Sequence, residues 1–155
     1  DTDHEPTVNA EAKIHETAET IRKALETGDW SSLDTRLREK RLGWFDENYG
    51  KLGLSGSDVR KAYEMFILNY LGSSPEESPV VYEDEQLIVW RSANWCPVHE
   101  ACKRFGYDSR KICRLGWESS VQAMIERINP RLRFSRNYEK VRPYSAYCEE
   151  YIELV

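Results

Sequence analysis

The sequence predicts an α+β domain in which a helical layer packs on a small antiparallel sheet, in the order ααα-ββ-αα-ββ. Apolar residues recur at helical spacing through residues 9–72, a proline-bracketed break follows, and beyond it two pairs of short alternating segments flank a second helical stretch. At 155 residues, 40% hydrophobic and 32% charged, the chain is sized for one domain. The expected division is a flexible N-terminus over 1–8 and a single domain over 9–155. That domain has a helical part at 9–72, a linker at 73–79 and a sheet part at 80–155 that carries the cysteines.

Residues 1–8 are polar, contain Pro6 and show no period. From Asn9, read as a cap, Ile14, Ala18, Ile21 and Leu25 share one helical face until Gly28 ends the run. Ser31 or Ser32 is expected to cap a second helix carrying Leu33, Leu37, Trp44 and Phe45, stopped by Gly50 and Gly53. Ser57 caps the third, in which Val59, Ala62, Tyr63, Phe66, Ile67 and Tyr70 keep a period of about 3.6 until Gly72.

The segment SSPEESP, with Pro75 and Pro79, cannot continue a helix. After it, VVYEDEQLIVWRS reads as two strands round an acidic turn; apolar residues lie on both sides of the second, which makes it an interior strand. Pro97 is tolerated as a first helical residue and opens a short helix that ends near Gly106. Asp108 or Ser109 caps one further helix, whose stripe of Cys113, Trp117, Val121, Met124, Ile125 and Ile128 runs to Asn129-Pro130. Two strands close the chain. If Leu132, Phe134, Ile152 and Leu154 look into the core, Arg136 and Glu150 look the same way, where they pair or line a cavity unless they lie near an edge and reach solvent.

Twenty-two Lys+Arg against 27 Asp+Glu leave a net charge of −5, the wrong sign for a binder of nucleic acid. The longest apolar run, Met65 to Leu68, is far short of the roughly twenty residues of a membrane span. With no export signal, a cytoplasmic location is the expectation, and the four cysteines are read as free thiols or metal ligands rather than disulfides. The thin N-terminal helical faces also suit contact with a second copy of the chain.

The densest chemistry is Asn94-Trp95-Cys96-Pro97-Val98-His99-Glu100-Ala101-Cys102. Cys96 precedes a helix N-terminus, where the backbone dipole favours a thiolate. At about 100° per residue His99 and Glu100 share its side of the helix, whereas Cys102 turns away and reads as structural. Cys96 with His99 is a minimal nucleophile and base, with Glu100 in support. Cys113 on the buried stripe and Cys148 on the inward face of the last strand could join them, so Cys96, His99, Cys113 and Cys148 are also a complete tetrahedral zinc set. The spacing matches no local zinc motif, and the same residues read equally as packed thiols beside a surface imidazole. The aromatic residues around these elements, Trp95, Trp117 and Tyr138 among them, together with Arg136 and Glu150, are candidates to wall a pocket for a small organic ligand.

Cys96-Pro97, Gly106, Cys113, the run Asn129-Pro130-Arg131-Leu132-Arg133-Phe134 and the terminal Tyr147-Cys148-Glu149 resemble the family of L-2-amino-thiazoline-4-carboxylic acid hydrolase-like proteins, itself distantly similar to the 4-vinyl reductase domain. The resemblance covers roughly residues 88–154. It implies a small-molecule-binding α+β module with Cys96, Cys113 and Cys148 near the site, and hydrolytic opening of a C–N bond in which Cys96 attacks or binds metal, His99 moves protons and Glu100 supports it. Arg142-Pro143-Tyr144-Ser145 stands where that family has a Gly-Asp turn. The alternative from another class is a non-catalytic, sensor-type binding domain whose cysteines hold zinc or pack.

Overall fold

The computed structural model describes residues 8–155 and bears out the α+β reading. His4 and all but the last residue of the expected flexible terminus lie outside the described residues. The first helix, α1 (Val8–Thr27), already includes Val8, and Asn9 lies inside it rather than capping it. Its buried face is Ile14, Thr17, Ala18, Ile21 and Ala24, while Leu25 turns to solvent. Gly28 ends it at φ +71°, a left-handed conformation that glycine adopts without a Cβ penalty.

The second helix, α2 (Trp30–Asn48), is capped by Asp29, two to three residues ahead of the expected serines; its Oδ1 accepts the Ser32 N–H at 3.0 Å. The third, α3 (Asp58–Tyr63), starts at Ser57 as expected but runs on into a π-helical segment, Glu64–Tyr70. That wider turn buries Met65, Phe66 and Ile67 in succession, which a 3.6-residue turn would splay round the axis. Residues 73–79 then form a short tied connection, with Ser78 fully buried and its carbonyl accepting the Tyr63 hydroxyl at 2.5 Å.

Four strands, β1 (Val80–Glu83), β2 (Leu87–Ser92), β3 (Leu132–Arg136) and β4 (Cys148–Leu154), pair antiparallel in the order β1-β2-β4-β3. β2 is interior, as its two apolar sides require. Between β2 and β3 come α4 (Pro97–Phe105), α5 (Ser109–Gly116) and α6 (Glu118–Glu126). The single helix expected after Asp108 is therefore two. The break falls where α2 crosses closely: a Cβ on Gly116 would lie 3.1 Å from the Leu33 methyl and 3.3 Å from the Trp30 ring.

Helices cover one face of the sheet. Ile88, Trp90, Leu132, Phe134 and Ile152 meet Phe45, Val59, Met65, Phe66, Val121, Met124 and Ile125 in the main core. A second core joins Ile14, Ala18 and Ile21 of α1 to Val98, Ala101 and Cys102 of α4 and to Ile112 and Cys113 of α5. Among the described residues no helix is long and apolar enough to cross a membrane.

Candidate functional site

The helix-covered face of the sheet changes character along its strands. In register, Ile88 faces Ile152 and Ile152 faces Phe134; one step along, Trp90 faces Glu150 and Glu150 faces Arg136; one step further, Ser92 faces Cys148. The strict two-residue alternation that buries the isoleucines therefore also buries the polar side chains. That polar end floors a cavity of about 90 Å³ lying where the two cores meet, with Phe66 and Val121 from one and Val98 and Cys113 from the other on its walls.

Glu150 is 4% exposed. Arg136 donates to its Oε2 from Nε at 3.1 Å and Nη2 at 2.6 Å, and Trp90 Nε1 and Ser92 Oγ donate to its Oε1 at 3.1 and 2.9 Å. Burial pushes the Glu150 carboxyl up, but the adjacent Arg136 guanidinium outweighs it and holds the group below its ordinary value. Arg136 and Glu150 thus pair away from solvent, although β3 is an edge strand of the sheet.

α4 brings in His99. Pro97 occupies its first turn, Cys96 stands at its N-cap without a capping hydrogen bond, and Gly106 ends it at φ +75°. His99 is 9% exposed, and its Nε2 lies 3.6 Å from Cys148 Sγ and 3.8 Å from Cys113 Sγ. Its Nδ1 is buried without a hydrogen-bond partner among the described residues. The two thiols differ. Burial pushes the Cys113 thiol up to about 12. Burial also raises Cys148, but the hydrogen bond and charge of His99, with the charge of Arg142, outweigh it and bring that thiol below its ordinary value.

Arg142 comes from the loop between β3 and β4. Its carbonyl accepts the Ser109 hydroxyl at 2.7 Å, its Nη1 donates to the Asn94 carbonyl, and its backbone N–H and Nε both reach Cys148 Sγ at 3.4 Å. The peptide bond that follows, Arg142–Pro143, is cis.

Arg41 of α2 is the remaining cation of the cavity and is 7% exposed. Its guanidinium lies over Phe66 at 5.4 Å and Tyr70 at 5.5 Å, its Nη1 donates to the Trp117 carbonyl at 3.4 Å, and its Nε has no partner among the described residues. Burial draws its pKa down. One signal in the sequence could have found it: Arg41 lies four residues after Leu37 and four before Phe45, on the apolar stripe of α2.

A larger groove of about 590 Å³ adjoins the cavity and shares Arg41, Leu71, Cys96, Val98 and Trp117 with it. Its volume falls within the roughly 300–1,000 Å³ typical of small-molecule sites. Cys96, half-buried, therefore stands at the mouth, and His99, Cys113 and Cys148 lie inside.

Of the expected ligand-binding residues, Trp117, Arg136 and Glu150 line the cavity. Trp95, 48% exposed, lines neither space, and Tyr138 is turned to Glu118, to which its hydroxyl donates. Glu100 lines neither space and makes no hydrogen bond to His99, so the geometry gives it no part in supporting the imidazole. Cys102, 1% exposed against α1, packs as expected of a structural thiol. All four cysteines are free thiols. For the tetrahedral set of Cys96, His99, Cys113 and Cys148, among the described residues no group of three or more His, Cys, Asp or Glu is found arranged to hold a metal ion. The site thus differs from the sequence reading in which thiol is paired, Cys148 in place of Cys96, and in two arginines that reading passed over. Comparison with protein-family models, curated proteins and solved structures finds no match for this chain.

Proposed function

We propose that this chain is a small-molecule-binding domain of hydrolase type, acting on a C–N bond of a heterocyclic or amide-like metabolite through Cys148 and His99. The observation that carries the reading is the Cys148–His99 contact of 3.6 Å inside a cavity that opens into a ligand-sized groove. A thiolate next to an imidazolium is the activated pair of cysteine hydrolases. In the first step the Cys148 sulfur forms a bond to the electrophilic carbon, the C–N bond breaks, and the proton on His99 Nε2 goes to the departing nitrogen. In the second, water adds to the thioester-like intermediate, His99 takes the water's proton, and the C–S bond breaks to restore the thiolate. The Arg142 backbone N–H and Nε, both on Cys148 Sγ, stabilise the charged sulfur between turnovers.

One observation favours a second reading, a non-catalytic binding domain. Among the described residues His99 Nδ1 has no partner to fix its tautomer, whereas a working general base is ordinarily oriented from that nitrogen. Incubation with a panel of cyclic amides and amidines, followed by mass spectrometry of product and protein, separates the two. Hydrolysis predicts a ring-opened product and a Cys148 adduct, both abolished in Cys148→Ser and retained in Cys96→Ser. Full turnover by Cys148→Ser would overturn the nucleophile assignment, and binding of panel compounds with no turnover would favour the second reading.

A further inference from the structure

We infer that the inner cavity selects an organic oxoanion, whose charged head sits between Arg41 and Arg136 while its body extends into the outer groove. This rests on the reading of the cavity as a small-molecule site and names what that site takes.

Buried polar groups in folded proteins are hydrogen-bonded, and an exception asks for an explanation. Here three residues that line one cavity carry such an exception, His99 at Nδ1, Arg41 at Nε and Arg136 at Nη1, and the two arginine nitrogens are buried cationic N–H donors without a partner among the described residues. The other two nitrogens of Arg136, Nε and Nη2, each donate to Glu150. Arg41 makes no ion pair with any described residue; the Phe66 and Tyr70 rings, the Trp117 carbonyl and the Tyr70 hydroxyl are its neighbours. A buried cation left in this state is costly unless something completes it.

The charges of the cavity favour an anion: Arg41, Arg136 and Arg142 outnumber the carboxylate of Glu150, and the thiolate of Cys148 in the reactive pair is matched by the imidazolium of His99. The planar O–C–O or O–S–O edge of an oxoanion matches the fork of a guanidinium, which an ammonium would not require.

Size separates head from body. About 90 Å³ is the room of roughly three waters in the liquid, enough for a charged head and no more. The body must continue past Arg41 and Trp117 into the groove of about 590 Å³, whose floor includes Leu33 and Leu37. Lys13, Arg36 and Lys40 outnumber Glu16 on the rim, a positive mouth on a chain of net charge −5, which raises the local concentration of an anion.

Two alkylating probes that differ only in the head group test this. Iodoacetate and iodoacetamide react with a thiolate by the same displacement: a C–S bond forms, the C–I bond breaks, and iodide leaves with the bonding pair. The iodoacetate-to-iodoacetamide rate ratio is read at Cys148 by peptide mass spectrometry, in the native protein and in the chain unfolded in urea. The native ratio is expected to exceed the unfolded ratio at least tenfold, to fall at least fivefold in Arg41→Gln, and to recover in part in Arg41→Lys. A native ratio equal to or below the unfolded one overturns the inference even if Arg41→Gln does not fold, because that comparison needs only the wild-type chain. Rapid reaction with iodoacetamide but not iodoacetate sinks the oxoanion alone and leaves the small-molecule reading standing. Failure of native Cys148 to react with either probe overturns both.

Discussion

Arg136 and Glu150 face each other across β3 and β4 on the helix-covered side of the sheet, joined by hydrogen bonds of 2.6 and 3.1 Å, with the side chain of Glu150 6% exposed. The pair closes the polar end of the sheet. It also turns the four acceptor and donor positions of Glu150, Trp90 and Ser92 into one connected network, so the cavity floor is held in a single arrangement.

Breaking that pair from one side leaves the other charge buried. Glu150→Ala is expected to cost about 3–5 kcal/mol in urea unfolding, and the double variant Arg136→Met/Glu150→Leu to recover much of that loss. The pH dependence follows from the carboxyl held below its ordinary range. Its stabilisation is fully present above the unfolded-state value, about 4.3, and is lost as pH falls through the lower folded-state value. Stability of the Glu150→Gln variant is accordingly expected to fall less steeply with acidification than that of wild type, as measured by urea midpoints at successive pH values.

Arg41 presents the opposite case. A buried guanidinium without a carboxylate is a cost to the fold that function would explain. Arg41→Met keeps the aliphatic stem against Phe66 and Tyr70 and removes the charge, and it is expected to raise stability by about 1–3 kcal/mol. A thermal midpoint lower than that of wild type would mean the ring contacts, not the charge, dominate at this position.

How far the site could be read beforehand depends on whether its signal was local. Strand alternation alone puts Arg136, Glu150 and Cys148 on the core face, because one residue of slip would expose Ile152 and Phe134. Pro97 and Gly106 likewise fix the start and end of α4, and with them the turn that points His99 inward. What was not legible is how separate elements meet. Both Cys96 and Cys148 were candidates for the imidazole, and only the packing of α4 over the end of β4 decides that His99 reaches Cys148. The break at Trp117 answers to Trp30 and Leu33, more than 80 residues earlier, and the π-helical segment keeps the same apolar composition an ordinary helix would have. Arg41 is legible as a charge on the apolar stripe of α2, between Leu37 and Phe45.

The pH profile of Cys148 alkylation by iodoacetamide, in wild type and in His99→Gln, tests the central pairing most directly. The account predicts a wild-type midpoint below the ordinary thiol value of about 8.5, a higher midpoint in His99→Gln, and no labelling of native Cys113, whose thiol burial pushes up to about 12. A Cys148 midpoint at or above the ordinary value, unchanged when His99 is replaced, would contradict it.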